Sequence, residues 1–219
     1  MTATHQAKIL PAVLLAALLG VGPAAAQSLA EVAREARQKK EASTRAVWTN
    51  EDLRGGLPEL KLLRAPRQHP PLLAPYVSSP LEQVRLMLSV AKVKPGELVI
   101  DIGSGDGRIV ILAAEEFGAR GIGIEIDAEL VAHSRSVVAA RGLENRVSIL
   151  HANALDVDLS PADVVTAYLT PKAMEVLRSH LERTLRKGTR VVSNVFQIPG
   201  WEPAAESLPK EEIWLYRVP

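Results

Sequence analysis

The sequence predicts an α/β domain built on a doubly wound, mostly parallel sheet. Three observations predict it. Short, continuous apolar segments such as Leu98-Val99-Ile100 and Val191-Val192 have no polar face, as strands covered on both sides require. Amphipathic stretches of helical period separate them. A run of alternate glycines, Asp101-Ile102-Gly103-Ser104-Gly105-Asp106-Gly107, joins the first such strand to the helix behind it.

The chain of 219 residues suits one domain with extensions. At its start, Lys8 precedes an apolar run over residues 9–21, and Pro23 leads into Ala24-Ala25-Ala26. This is the layout of a secretory signal peptide with an A-x-A cleavage site. The same stretch, residues 9–26, is nearly long enough to span a bilayer uncleaved. Arg34, Arg37, Lys39 and Lys40 follow it, and positive residues tend to stay in the cytoplasm. If the signal is cleaved, the domain is exported, periplasmic or secreted. The alternative is an inner-membrane anchor with the domain in the cytoplasm. Residues 27–74 read as an exposed helix, opened by the capping box Ser28-Leu29-Ala30-Glu31, and then a proline-rich linker.

Residues 75–219 hold the folded domain. Ser79-Pro80-Leu81-Glu82 opens a helix, with Ser79 as cap and Pro80 at the first helical position. Its apolar face is Leu81, Val84, Leu88 and Ala91. A strand at 98–102 follows, then a helix over 107–117 stopped by Gly118. A second strand covers 121–126. Asp127 caps the next helix, whose inward face is Leu130, Val131, Ser134, Val137 and Val138. Strands at 147–150 and 163–169 come next. Thr170-Pro171 opens a helix with Met174, Leu177, Leu181 and Leu185 inward, closed by Gly188. Strands at 190–196 and 212–218 complete the pattern.

Composition sets limits. Hydrophobic residues make up 47% and charged ones 23%, enough for a real core. A net charge of +1 shows no basic surplus for nucleic acid. Absence of cysteine excludes disulfides, thiolate metal sites and cysteine nucleophiles. The five histidines show no metal-ligand spacing and read as surface or strand-end residues, so no metal is expected.

Such sheets bind ligands at the carboxyl ends of their strands. After the first strand, the glycines let the backbone turn tightly and approach a ligand, and the following helix offers free amides to a carboxylate. The dinucleotide pattern G-x-G-x-x-G fails, because Arg108 stands at its last position. After the second strand, Glu125 can accept both ribose hydroxyls, while Asp127 is a helix cap. After the third, Asn153 can accept a hydrogen bond from an adenine amino group, or is an ordinary loop asparagine. After the fourth, Tyr168 either lines a methyl-transfer channel and orients an incoming amine, or is a plain strand-end residue.

Several segments together resemble one family. They are Pro75-Tyr76-Val77 with Ser79-Pro80, the run from Ile100 through Gly107 to Val110, Tyr168-Leu169-Thr170-Pro171, and Val191-Val192-Ser193-Asn194-Val195-Phe196 with Gly200-Trp201. They are similar to the small protein-lysine methyltransferases of the ATP synthase c-subunit and adenine nucleotide translocase type, with their bacterial relatives. The resemblance covers roughly residues 75–201. It implies a class I, Rossmann-like methyltransferase fold with a seven-stranded, mostly parallel sheet, and S-adenosyl-L-methionine as cofactor. It places cofactor binding on Asp101, Gly103, Ser104, Gly105, Gly107 and Glu125. It has the segment around Tyr76 fold over the site, and Tyr168 with Asn194 border the substrate lysine. Asn153-Ala154 departs from the family in lacking the usual acid.

Methyl transfer from a sulfonium is an in-line displacement, so positioning can supply much of the catalysis and neither metal nor covalent intermediate is needed. An apolar, closed pocket lowers the pKa of a lysine nucleophile, so no strong general base is expected. Three functional readings follow. The first is methyl transfer to a protein lysine, the second methyl transfer to a small molecule or other acceptor, and the third a non-catalytic binding module with the same fold. Expected partners are a methyl acceptor and, through the N-terminal segment, a membrane; nucleic acid is not expected.

Overall fold

The computed structural model describes residues 56–63 and 76–218, all within the unit Trp48–Pro219. The leader at 1–26, the helix at 28–46 and most of the proline-rich linker lie outside the described residues.

The elements run α1 (Leu81–Val90), β1 (Leu98–Ile102), α2 (Arg108–Phe117), β2 (Arg120–Glu125), α3 (Ala128–Ala140), β3 (Val147–His151), β4 (Val164–Ala167), α4 (Pro171–Thr184), β5 (Arg190–Asn194) and β6 (Ile213–Arg217). The sheet order is β3-β2-β1-β4-β5-β6. All neighbours pair in parallel except β5 and β6, which pair antiparallel. Chain order turns back between β1 and β4, so the loops after those strands diverge and leave a crevice there.

Side chains along each strand alternate between two apolar layers. Ile100, Ile102, Val165 and Val191 face Met174, Leu177 and Leu181 of α4. Val99, Val164 and Val192 face Val84, Met87 and Leu88 of α1 and Leu112 of α2. Val110 and Ile111 of α2 meet Val131 and Val138 of α3 over β3. Leu60 joins the α4 layer, and its segment is held by a bridge between Leu62 and Val157.

The expected elements are present, with four corrections. The sheet has six strands among the described residues, not seven. Three prolines (Pro199, Pro203, Pro209) stand in the connection from β5 to β6, and each lacks the N–H a strand would need. The fifth strand stops at Asn194 rather than Phe196, because Val195 has φ 65° and breaks the extended path. Ser79 does not cap α1. Pro80 is the N-cap, with no side-chain hydrogen bond there, and Leu81 is 49% exposed while Met87 takes its place inward. His180 is a core residue rather than a surface one, its Nε2 lying 2.8 Å from the Val157 carbonyl. Asp127 caps α3 as expected, accepting from the Glu129 and Leu130 amides.

Candidate functional site

A cleft open to solvent lies over the carboxyl ends of β1, β2 and β4. Asp101, Gly103, Ser104, Glu125, Asn153, Tyr168 and Tyr76 all border it, so the crossover brings together residues far apart in sequence.

Asp101 is buried, and the Thr166 hydroxyl on β4 donates to its Oδ1 at 2.6 Å. Burial pushes its pKa up to about 7; the Thr166 bond opposes the shift, and the carboxylates of Glu125 and Asp106 add to it. A carboxyl so placed favours a cationic group in the cleft, which would restore the charged form.

Glu125 ends β2 with both oxygens engaged. Oε2 accepts the Gly105 amide at 2.7 Å; Oε1 accepts the Ile126 and Asp127 amides at 2.7 and 2.9 Å. A carboxylate offers about four acceptor positions, and three are used. As placed, it keeps an acceptor position for a further donor. Its other task is to hold the glycine loop in register.

The three loop glycines do different things. Gly103, at φ 72°, borders the cleft. Gly105, at φ 54°, lies under the Tyr76 ring, and a Cβ there would sit 2.6 Å from Tyr76 Cδ2. Only a residue without a side chain allows that approach. Neither Gly105 nor Gly107 is among the residues that line the cleft, and Gly107 is closely packed, since its Cβ would come 3.3 Å from Ser134. Ser104 is buried with its hydroxyl unpartnered, close above Gly123. An orphaned buried hydroxyl at the cleft wall suits a polar ligand group.

Asn153 borders the cleft, and its side-chain oxygen accepts the Leu155 amide at 3.0 Å and caps the short turn Ala154–Asp156, which leaves that oxygen a second acceptor position. One further expectation changes. Asn194 does not border the cleft. It is buried, donating to Ser79 Oγ at 3.1 Å and accepting from Gln83 Nε2 at 2.9 Å. Tyr168, by contrast, lines the cleft and makes no side-chain hydrogen bond among the described residues, leaving its hydroxyl for a ligand.

Sequence reasoning missed Asp106 and Arg108. Arg108 Nε donates to both Asp106 oxygens at 2.9 and 3.0 Å, and Nη1 donates to the Ser79 carbonyl at 2.7 Å. The Arg108 amide also donates to Asp106, so that amide of the α2 N-terminus is not free for a ligand. Burial alone would push Asp106 up, but Arg108 holds it below the usual carboxylate range. Partial burial and Asp106 raise the Tyr76 phenol, with Arg108 opposing. The signal was present in the spacing Asp106-x-Arg108, which lets the two side chains meet across the loop-to-helix turn.

The family model described as the ANTKMT methyltransferase domain matches residues 101–205. A protein-lysine N-methyltransferase of Saccharolobus islandicus (strain REY15A) is 43% identical over 130 residues, 59% of this chain and 81% of that protein. The adenine nucleotide translocase lysine N-methyltransferase of Mus musculus is 36% identical over 149 residues. That match covers 67% of this chain and 64% of the mouse protein, less than two thirds of its length. An RNA methyltransferase from Salinibacter ruber, solved with S-adenosyl-L-homocysteine, superposes with a TM-score of 0.63 at 39% identity, covering 65% of this chain and 94% of that one.

Proposed function

Because the chain belongs to the protein-lysine N-methyltransferase family, we propose that it moves a methyl group from S-adenosyl-L-methionine to the side-chain amine of a protein lysine. The cofactor supplies a methyl on an already activated sulfonium leaving group. The chain's own residues bind, orient and exclude water. Asp101 suits the cofactor's ammonium, the remaining acceptor position of Glu125 suits a ribose hydroxyl, and Gly103 with Ser104 leaves room and a hydroxyl for the rest.

One observation carries the acceptor reading: Tyr168 stands at the end of β4, on the cleft wall, with a hydroxyl that nothing in the described protein engages. It can accept a hydrogen bond from an entering amine and fix the direction of its lone pair. Partly apolar walls, Leu130 and Leu169 among them, favour the neutral amine over the ammonium. No side chain needs to become a covalent carrier.

The Salinibacter ruber structure favours one second reading, an RNA acceptor. The near-neutral charge of the chain argues against it. The test offers full-length protein labelled S-adenosyl-L-methionine with membrane proteins, soluble proteins and total RNA in parallel. Label in protein, mapped to lysine after digestion, is the expected result. Label confined to RNA or to small molecules would overturn the lysine reading.

The same reading bears on the leader. An exported enzyme would stand apart from the cytosolic source of its cofactor, so we infer a retained anchor with the domain in the cytoplasm. Terminal sequencing of the mature chain checks it: a start at Gln27 would overturn retention.

A further inference from the structure

Ser79 closes a four-residue segment, Tyr76 to Ser79, that borders the cleft throughout. Two unrelated parts of the fold hold it. From the loop-to-α2 turn, Arg108 Nη1 donates to the Ser79 carbonyl at 2.7 Å. From the end of β5, Asn194 Nδ2 donates to the Ser79 hydroxyl at 3.1 Å. Neither donor has much freedom to do anything else. The Arg108 fork is shared with Asp106 of the glycine loop. The Asn194 oxygen accepts from Gln83, whose amide also donates to the Glu211 carbonyl at 2.6 Å.

The turn behind Asn194 is itself unusual. Val195 sits at φ 65°, a region a β-branched residue rarely occupies. It is held there by its amide donating to the Glu212 carbonyl at 2.7 Å and its carbonyl accepting from Trp214 Nε1 at 3.1 Å. Relaxing Val195 to an extended conformation would carry β5 onward and change the direction of the chain beside Asn194. Strain kept at one position by surrounding bonds marks a place where the geometry matters.

At the other end of the segment, the Tyr76 ring rests on Gly105, with Asp106 and Arg108 acting on its phenol. Cofactor loop and covering segment therefore share one set of contacts. Arg108 touches both, and Asn194 sets the height of the segment from outside the cleft.

We propose that Arg108 and Asn194 are positioning residues that clamp Ser79, so that Tyr76 is held over the glycine loop and slows the escape of bound cofactor. The inference rests on the methyl-transfer reading above. Neither residue is proposed to touch the cofactor or the acceptor. Each acts through Ser79, and because they act on one element their effects should not add.

The test measures dissociation of S-adenosyl-L-homocysteine from the full chain by stopped flow, and amide exchange of residues 77–79 without ligand. Arg108→Met and Asn194→Ala are each expected to speed dissociation roughly tenfold or more, the scale of one bond to a charged or buried polar group. Exchange at 77–79 should quicken while β1 and β5 stay protected. The double variant should be no faster than the worse single one. Arg108→Lys keeps a positive charge beside Asp106 but lacks the fork that also reaches Ser79, so it should behave as Arg108→Met. Ser79→Ala removes the Asn194 bond from the segment's side and serves if Asn194→Ala does not fold. Unchanged dissociation in these variants, additive effects, or wild-type behaviour of Arg108→Lys would each overturn the clamp while leaving methyl transfer standing. Wild-type protein without affinity for the cofactor would overturn both.

Discussion

The two ends of the sheet both carry charged residues and use them in different ways. At the amino ends of the strands, charges meet each other. Glu97 pairs with Arg190 at 2.7 Å, and Arg190 also reaches the carbonyls of Ala91 and Lys92. Asp163 accepts the Leu98 amide at 2.8 Å and lies 3.2 Å from Arg186. At the carboxyl ends Asp106 is paired with Arg108, but Asp101 and Glu125 meet neutral donors instead. Asp101 has the Thr166 hydroxyl and Glu125 has three backbone amides. Among the described residues lining the cleft the one cation is Arg108, committed to Asp106 and Ser79. One end completes its electrostatics within the chain, and the other leaves negative charge for a positive ligand. Charge counts along the sequence would miss this; the pairing decides which end is structural and which is functional.

That contrast can be broken by substitutions at each end. The largest effect is expected at the carboxyl end, from Gly105→Arg. A side chain at φ 54° under Tyr76 must displace the ring and fill the loop, so affinity for S-adenosyl-L-methionine should fall roughly 100-fold or more. Calorimetric titration reads the affinity, and a melting temperature near that of wild type shows that the sheet survives. Retained affinity would sink the assignment of this loop. At the amino end, Arg190→Met should do the reverse. It removes the cation facing Glu97, which is largely covered and keeps the Lys94 amide, and frees two carbonyls, at a cost of about 2 kcal/mol in stability. Denaturant unfolding measures that loss, and cofactor affinity should stay within twofold, as ordinary additivity of distant sites allows. A comparable loss of affinity would show that the two ends are coupled.

Sequence reading recovered local features better than long-range ones, for a physical reason. Apolar runs such as Leu98-Val99-Ile100, the glycine loop and the Asp127 cap are local signals, each readable within a few residues. Glu125 followed from its place at a strand end and Asp101 from the family resemblance, and the structure puts both on the cleft wall. The roles of Asn194 and Asn153 did not follow. The Asn194 bond to Ser79 spans 115 positions, and nothing nearby shows that the side chain turns inward. Asn153 bonds to an amide two residues away, but an acceptor bonding to Leu155 and one offered to a ligand look the same in sequence. The count of six strands among the described residues is of the same kind: prolines between β5 and β6 were visible, yet only the pairing of β6 directly on β5 shows what they interrupt.

The smallest effect is the one most specific to the carboxyl end, a pH dependence set by Asp101. With its pKa pushed up to about 7, Asp101 is mostly neutral at pH 6 and mostly charged at pH 8 in the free protein. A cationic cofactor prefers the charged form, so affinity should rise with pH and level off above 7. Between pH 6 and 8 the change should be about tenfold, the ratio set by one unit below the titration point. Stability of the free protein should move the other way. The folded state holds a proton that the unfolded chain releases near 3.8, so this contribution is full below 3.8 and is lost as pH rises through about 7. Asp101→Asn should flatten both slopes and hold affinity at or below its pH 6 value. Titrations at pH 6, 7 and 8, paired with melts over pH 4 to 8, separate the two. An affinity in wild type that does not change with pH would mean that Asp101 meets no cation, and the carboxyl end would lose the asymmetry that distinguishes it from the amino end.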